Sequence, residues 1–286
     1  MGGYLRPGAL AEALEALAAG LADGRPPVVV AGATDHYPAR LGRVTDEEIL
    51  DISGIAGLRQ VQATEAGWWI PAGATWADLL EARLPPLFDG FRGAARAVGG
   101  VGVQNRGTVV GNLCNASPAA DGIPNLLALD ALVELASVRG VRRLPVGGFV
   151  TGNRSTLREP DELVTGVVIQ EPVASGGAIS SAFLKLGSRA YLVISIAMVA
   201  AVLVRDAGGR IVDARVAVGA CSPVARRLAA LEAELVGRPA APGLAAAVRL
   251  EHLDQLAPIS DVRATALYRM TAAEILVRRA LEELVA

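Results

Sequence analysis

The 286 residues carry 27 basic and 29 acidic side chains, a formal net charge of −2, and this balance excludes a nucleic-acid or anionic-membrane surface, either of which needs a basic excess. Apolar residues make up 52% and aromatic residues only 4%, so the core is expected to be built from Ala, Val, Leu and Ile. Two cysteines, Cys114 and Cys221, and two histidines, His36 and His252, are too few for a zinc site, an iron–sulfur site or a disulfide scaffold.

The first apolar stretch, residues 9–21, is broken by Glu12 and Glu15 and reads as an amphipathic helix, not a signal peptide. A cytoplasmic location is expected. A buried strand over 27–31, a Gly-Ala-Thr-Asp turn and a short strand over 49–52 complete a first block, residues 1–58. The second block, 59–173, opens with paired strands at 61–64 and 69–72 and a helix over 76–82. A glycine-rich loop over 99–111 follows, then strands at 134–138 and 163–169 and a Glu171-Pro172 break.

The flexible segment 174–178 leads into a third block, 178–286. Strands over 183–186, 193–205 and 211–219 are predicted to pair antiparallel, with Asp206-Ala-Gly-Gly209 as a hairpin loop. Helices are expected over 226–236, 243–253 and 263–284, which gives an α+β arrangement of sheet followed by helices. The longest apolar run, Tyr191 to Val204, has 14 residues and one serine. A membrane span needs about 20, so the run is read as buried structure and no membrane insertion is expected.

Three segments suggest chemistry. In Val28-Val-Val-Ala-Gly-Ala-Thr-Asp35, a buried strand ends in small residues whose backbone N–H groups can converge on an anion; a plain capped turn is the rival reading. Five glycines fall within residues 99–112, and Asn115-Ala-Ser-Pro-Ala-Ala-Asp121 follows, a pattern for backbone passing close to a ligand. Neither a G-x-G-x-x-G fingerprint nor a Walker loop is present there. Among the 27 basic residues only one, Lys185, is lysine, which suits a position needing a compact ammonium and is equally compatible with chance. His36 and His252 are expected at the surface, Trp68 and Trp69 in sheet packing.

Ala31-Gly-Ala-Thr-Asp35, Thr108-Val-Val-Gly-Asn112, Asn115 to Asp121 and Phe183-Leu-Lys185 together resemble the FAD-binding subunit of xanthine dehydrogenase, aerobic carbon monoxide dehydrogenase and their relatives, the molybdenum hydroxylases. The resemblance extends over essentially the whole chain. It implies an α+β fold of two α/β FAD-binding subdomains (PCMH-type), followed by a three-stranded antiparallel sheet with a helix bundle. It also implies FAD held by Val30, Ala31, Gly32, Ala33, Thr34 and Asp35 on one loop and by Thr108, Val109, Gly111 and Asn112 on a second, with Asp121 beyond. Val164 and Lys185 correspond to contacts near the flavin, and Tyr191 joins them as a further polar candidate. No catalytic residue and no metal ligand is expected.

The implied partners are a molybdopterin-containing large subunit and a small [2Fe–2S] subunit, assembled as a dimer of heterotrimers. A stand-alone flavin oxidoreductase and a flavin-free scaffold are the alternatives. Ala33 and Val110 each replace a usual glycine of the family. Both residue types avoid positive φ, so these positions are expected at negative φ or on a reshaped loop.

Overall fold

Nothing in the chain is as continuously apolar as the strand Ala197–Arg205, and the fold accounts for it by burying both faces. The computed structural model describes residues 2–42, 46–172 and 176–286. Ala200, Val202 and Val204 point into the larger hydrophobic core, while Ala197, Val199, Ala201 and Leu203 point into a second core beneath the C-terminal helices. The two-residue period of a strand makes this division possible. No described helix is long and apolar enough to cross a membrane.

Three sheets and a small hairpin organise the described residues. The first sheet is parallel, with Ile49–Asp51 between Tyr4–Leu5 and Val28–Val30. Helix Leu10–Ala22 contacts strand Leu132–Ser137 of the second sheet, and its buried Ala13 and Leu17 stand one turn apart on the core side. The second sheet is antiparallel. Its order is Gln62–Thr64, Gly67–Pro71, Leu163–Ile169, Leu132–Ser137 and Gly140–Pro145, and every residue of the central Leu163–Ile169 is buried.

The third sheet runs Ile179–Leu186, Ala197–Arg205, Ile211–Gly219, with the short Arg226–Arg227 on its edge. Helices Asp89–Ala97 and Gly122–Ala128 lie on one face; Ala229–Leu235 and Ala266–Glu283 lie on the other. Gly90 lets the first of these helices approach closely, because a Cβ there would sit 2.8 Å from the carbonyl of Ala182. The hairpin loop falls where expected, with the Asp206 carbonyl accepting from Gly209 at 3.0 Å and Gly209 at φ +76°.

Several elements differ from expectation. The strand expected from residue 193 begins at Ala197, because residues 187–196 cross irregularly and Leu192 takes φ +53°. The helix expected over 243–253 is two 3-10 turns, Leu244–Ala247 and Leu250–Leu253. Arg226 and Arg227 belong to the sheet, so the next helix starts at Ala229. The glycine-rich loop contains two helices, Val101–Gln104 and Val109–Asn115. His252 is buried, not at the surface; its Nδ1 accepts from the Arg249 N–H at 3.1 Å. The expected flexible segment 174–178 lies partly outside the described residues, as does the boundary at 173.

Candidate functional site

The strand Val28–Val30 ends against the second glycine-rich segment. A Cβ on Gly32 would lie 1.7 Å from the carbonyl oxygen of Arg106 and 2.9 Å from Cα of Gly107, so only glycine permits this contact. Ala33 follows at φ +54°, the left-handed conformation that a glycine would take without cost. The negative φ expected there is not found: Ala33 itself takes the left-handed conformation and bears its strain. Among the described residues, the N–H groups of Gly32, Ala33, Thr34, Asp35 and His36 donate to no acceptor. Five successive N–H groups in one turn are thus left available to an anion.

The facing wall is the helix Val109–Asn115. Thr108 caps it, its hydroxyl accepting from the Gly111 N–H at 2.9 Å. Val110 sits inside the helix with its side chain buried, so the missing glycine there requires no reshaped loop. The Asn112 Oδ1 accepts from the Gly122 N–H at 3.2 Å, which ties this helix to the next.

Between the two walls opens a cleft of about 910 Å³. It is lined by Val30, Ala31, Gly32, Ala33, Thr34, Asp35, Thr108, Gly111, Asn112 and Val164 from the predicted set. Four predicted residues lie elsewhere. Val109 is fully buried and its N–H goes to the carbonyl of Ala74. Tyr191 is 76% exposed and outside the cleft, because the irregular crossing turns it to solvent.

Asp121 and Lys185 are spent on each other. The ammonium donates to Asp121 Oδ2 at 2.6 Å and to the carbonyl of Ala97 at 3.4 Å, and Ser195 Oγ donates to Asp121 Oδ1 at 2.6 Å. Burial pushes the Asp121 carboxyl above its ordinary value, opposed by the Lys185 charge and by both hydrogen bonds. Lys185 lines a separate cavity of about 430 Å³ with Phe183, Gly187 and Val193.

Sequence reasoning missed Trp76, Arg154 and Arg158, which line the cleft together with Cys114. Burial pushes the Cys114 thiol up to about 11, so at neutral pH it is protonated and a poor nucleophile. Burial, then the Arg40 charge, lowers the pKa of His36. The turn of free donors, the cleft of about 910 Å³ and the small side chains lining it fit a dinucleotide whose pyrophosphate lies on backbone N–H groups.

Residues 1–172 match the FAD binding domain in molybdopterin dehydrogenase, and residues 182–284 match the CO dehydrogenase flavoprotein C-terminal domain. The chain belongs to this family. It is an FAD-binding subunit of the molybdenum hydroxylases, an oxidoreductase component, and its cofactor is FAD. The flavin subunit is 30% identical to the xanthine dehydrogenase FAD-binding subunit of Escherichia coli O157:H7, over 99% of this chain and 96% of the relative. It is 31% identical to the carbon monoxide dehydrogenase medium chain of Afipia carboxidovorans, over 98% and 95%. A chain of carbon monoxide dehydrogenase from Hydrogenophaga pseudoflava superposes with a TM-score of 0.87 at 26% identity, covering 99% of the flavin subunit and 96% of that chain. The α+β architecture read from the sequence is that of these proteins.

Proposed function

We propose that this chain is the electron-transfer subunit of a larger complex, a dimer of heterotrimers, completed by a molybdopterin-containing large subunit and a small [2Fe–2S] subunit. Electrons from the hydroxylated substrate reach FAD in the cleft through the partner's clusters and leave to NAD⁺, oxygen, a quinone or another carrier. FAD supplies the ability to take electrons singly and release them singly or in pairs. The observation that carries this reading is the cleft whose turn offers five free N–H donors beside the capped helix. Residues 1–58 and 59–173 would hold the cofactor between them, and residues 178–286 would close it from one side through Ile194.

The chain's own groups bind and orient. The turn from Gly32 to His36 would take the pyrophosphate, Thr108 to Asn112 would form the opposite wall, and Leu163 and Val164 would pack against the cofactor. Lys185 and Asp121 would hold the crossing at Ser195 from below. Among the described residues, no three His, Cys, Asp or Glu side chains are grouped so as to hold a metal ion. A stand-alone oxidoreductase would need a free acid or base at the flavin, and Lys185 is paired while Tyr191 is turned away. A scaffold without flavin finds no support in Val110, which sits inside a regular helix, and Ala33 stands at the positive φ that a glycine would take.

Purification of the native complex tests the reading. Mass spectrometry should find the two partner chains, and acid precipitation should release FAD into the supernatant, since no cleft side chain is activated for a covalent link. The isolated subunit should pass electrons from a reductant to a dye yet oxidise no N-heterocycle or aldehyde. Substrate hydroxylation by the lone chain would overturn the division of labour.

A further inference from the structure

We propose that Arg154 is a positioning residue that clasps the first flavin turn, and that the Asp35 carboxylate serves this clasp, not the cofactor. The inference rests on the FAD reading of the cleft. Arg154 stands at the tip of the small hairpin formed by Val150–Gly152 and Ser155–Thr156, with φ +55°. A left-handed arginine is held there by its surroundings. Its N–H donates at 3.0 Å to the carbonyl of Ala116, itself the left-handed cap (φ +47°) that ends helix Val109–Asn115.

The guanidinium then crosses to the other wall. Nη1 donates to Asn115 Oδ1 and to Asp35 Oδ2, both at 2.9 Å, and Nη2 donates to Asp35 Oδ1 at 3.3 Å. One side chain thus joins three segments: the hairpin, the end of the second wall and the turn that carries the free donors. Only a planar fork reaches Asn115 and both oxygens of Asp35 at once.

The charge balance follows from the same contacts. Asp35 belongs to the turn that receives the pyrophosphate, where a bare carboxylate would repel it. Pairing with Arg154 neutralises that charge and leaves the backbone N–H groups as the turn's contribution to the anion. Arg154 and Asp35 side chains are 57% and 48% exposed, so solvent screens the pair and its effect on affinity is moderate.

The test titrates FAD onto apoproteins of the wild type, Arg154→Ala, Arg154→Lys and the double variant Asp35→Ala/Arg154→Ala. Amide hydrogen exchange over residues 37–40, whose N–H groups of Tyr37 and Ala39 bond back to Ala33 and Asp35, is followed in the same samples. Arg154→Ala should weaken FAD by about two- to fivefold, because it both loosens the turn and uncovers Asp35. Removing Asp35 as well should recover part of that loss. Arg154→Lys should fall between, since an ammonium keeps the charge but lacks the planar fork that engages both Asp35 oxygens side by side. Exchange over 37–40 should quicken in both alanine variants.

A double variant that binds FAD more weakly than Arg154→Ala would make Asp35 a direct cofactor contact and overturn the proposal. So would an Arg154→Ala protein identical to wild type in affinity and exchange. Should the wild-type apoprotein take up no FAD, the flavin reading fails, and unchanged exchange in Arg154→Ala would separately sink the clasp.

Discussion

The turn after Val30, which meets the segment leading into the helix at Arg106 and Gly107, and the helix Val109–Asn115 are held in place by opposite means. Among the described residues the turn's N–H groups have no acceptor, and the turn is set by the close approach that requires glycine at position 32, a left-handed Ala33 and an external pair to Arg154. The helix is capped by Thr108, gives its first N–H to the Ala74 carbonyl and is tied onward through Asn112, Gly122 and the buried Asp121–Lys185 pair. One wall is shaped for a ligand and depends on neighbours for support. The other is supported internally and lends its surface. Substitutions should therefore separate cofactor binding from stability in one wall and combine them in the other.

The largest effect is expected from Lys185→Met, which leaves Asp121 buried without its counter-charge. Breaking such a pair costs about 3–5 kcal/mol. The sign of its pH dependence is fixed by Asp121, whose carboxyl is already raised by burial. A group with a raised folded pKa contributes stability at low pH and loses it as pH rises through that value. Removing the ammonium enlarges the rise, so the melting-temperature deficit should be greatest at neutral pH and shrink on acidification. A deficit independent of pH would show that the charge pair is not the cause.

Gly32→Ala is next. The added methyl meets a backbone carbonyl that cannot rotate away, so the walls must part at a cost of about 3 kcal/mol, the upper end of overpacking. FAD content and chemical denaturation should fall together. Gly111→Val sharpens the contrast: its Cβ would lie 2.7 Å from Thr108 Oγ1, so the cap is disturbed at about 1 kcal/mol while the bulk fills the cleft. Flavin should be lost from a protein that still folds, and full retention would remove Gly111 from the site. Ala33→Gly should have the smallest effect, a gain of about 0.5–1 kcal/mol from relief of the left-handed alanine, with FAD affinity unchanged or slightly improved.

Much of this site was legible in the residues themselves. Small residues after a Val-Val-Val strand announce a turn, and the Asn115 to Asp121 segment is distinctive. The glycine-rich stretch misled because its glycines mark close approach, not absence of helix; the Thr108 cap with Val109, Val110 and Leu113 behind it is a helical pattern in plain view. Lys185 stands out by composition, yet its partner lies 64 positions away, and no spacing rule reveals a pair made by folding. Arg154 was hidden for the same reason, being 119 residues from Asp35 in the chain. His252 was misplaced because a histidine flanked by charged residues looks solvent-facing until Arg249 and Glu234 close around it.

The strand Ala197–Arg205 serves two interiors at once, and this gives the molecule a grammar of indivisibility. Its alternate residues are shared property: half complete the interior beneath the flavin walls, half complete the one beneath the C-terminal helices. Were the chain severed near residue 172, helices Asp89–Ala97 and Gly122–Ala128 would lose the sheet that covers them, and the fragment would present a bare apolar face to water. The two matched segments are thus separate in sequence but not in thermodynamics, and heat should melt them in a single transition.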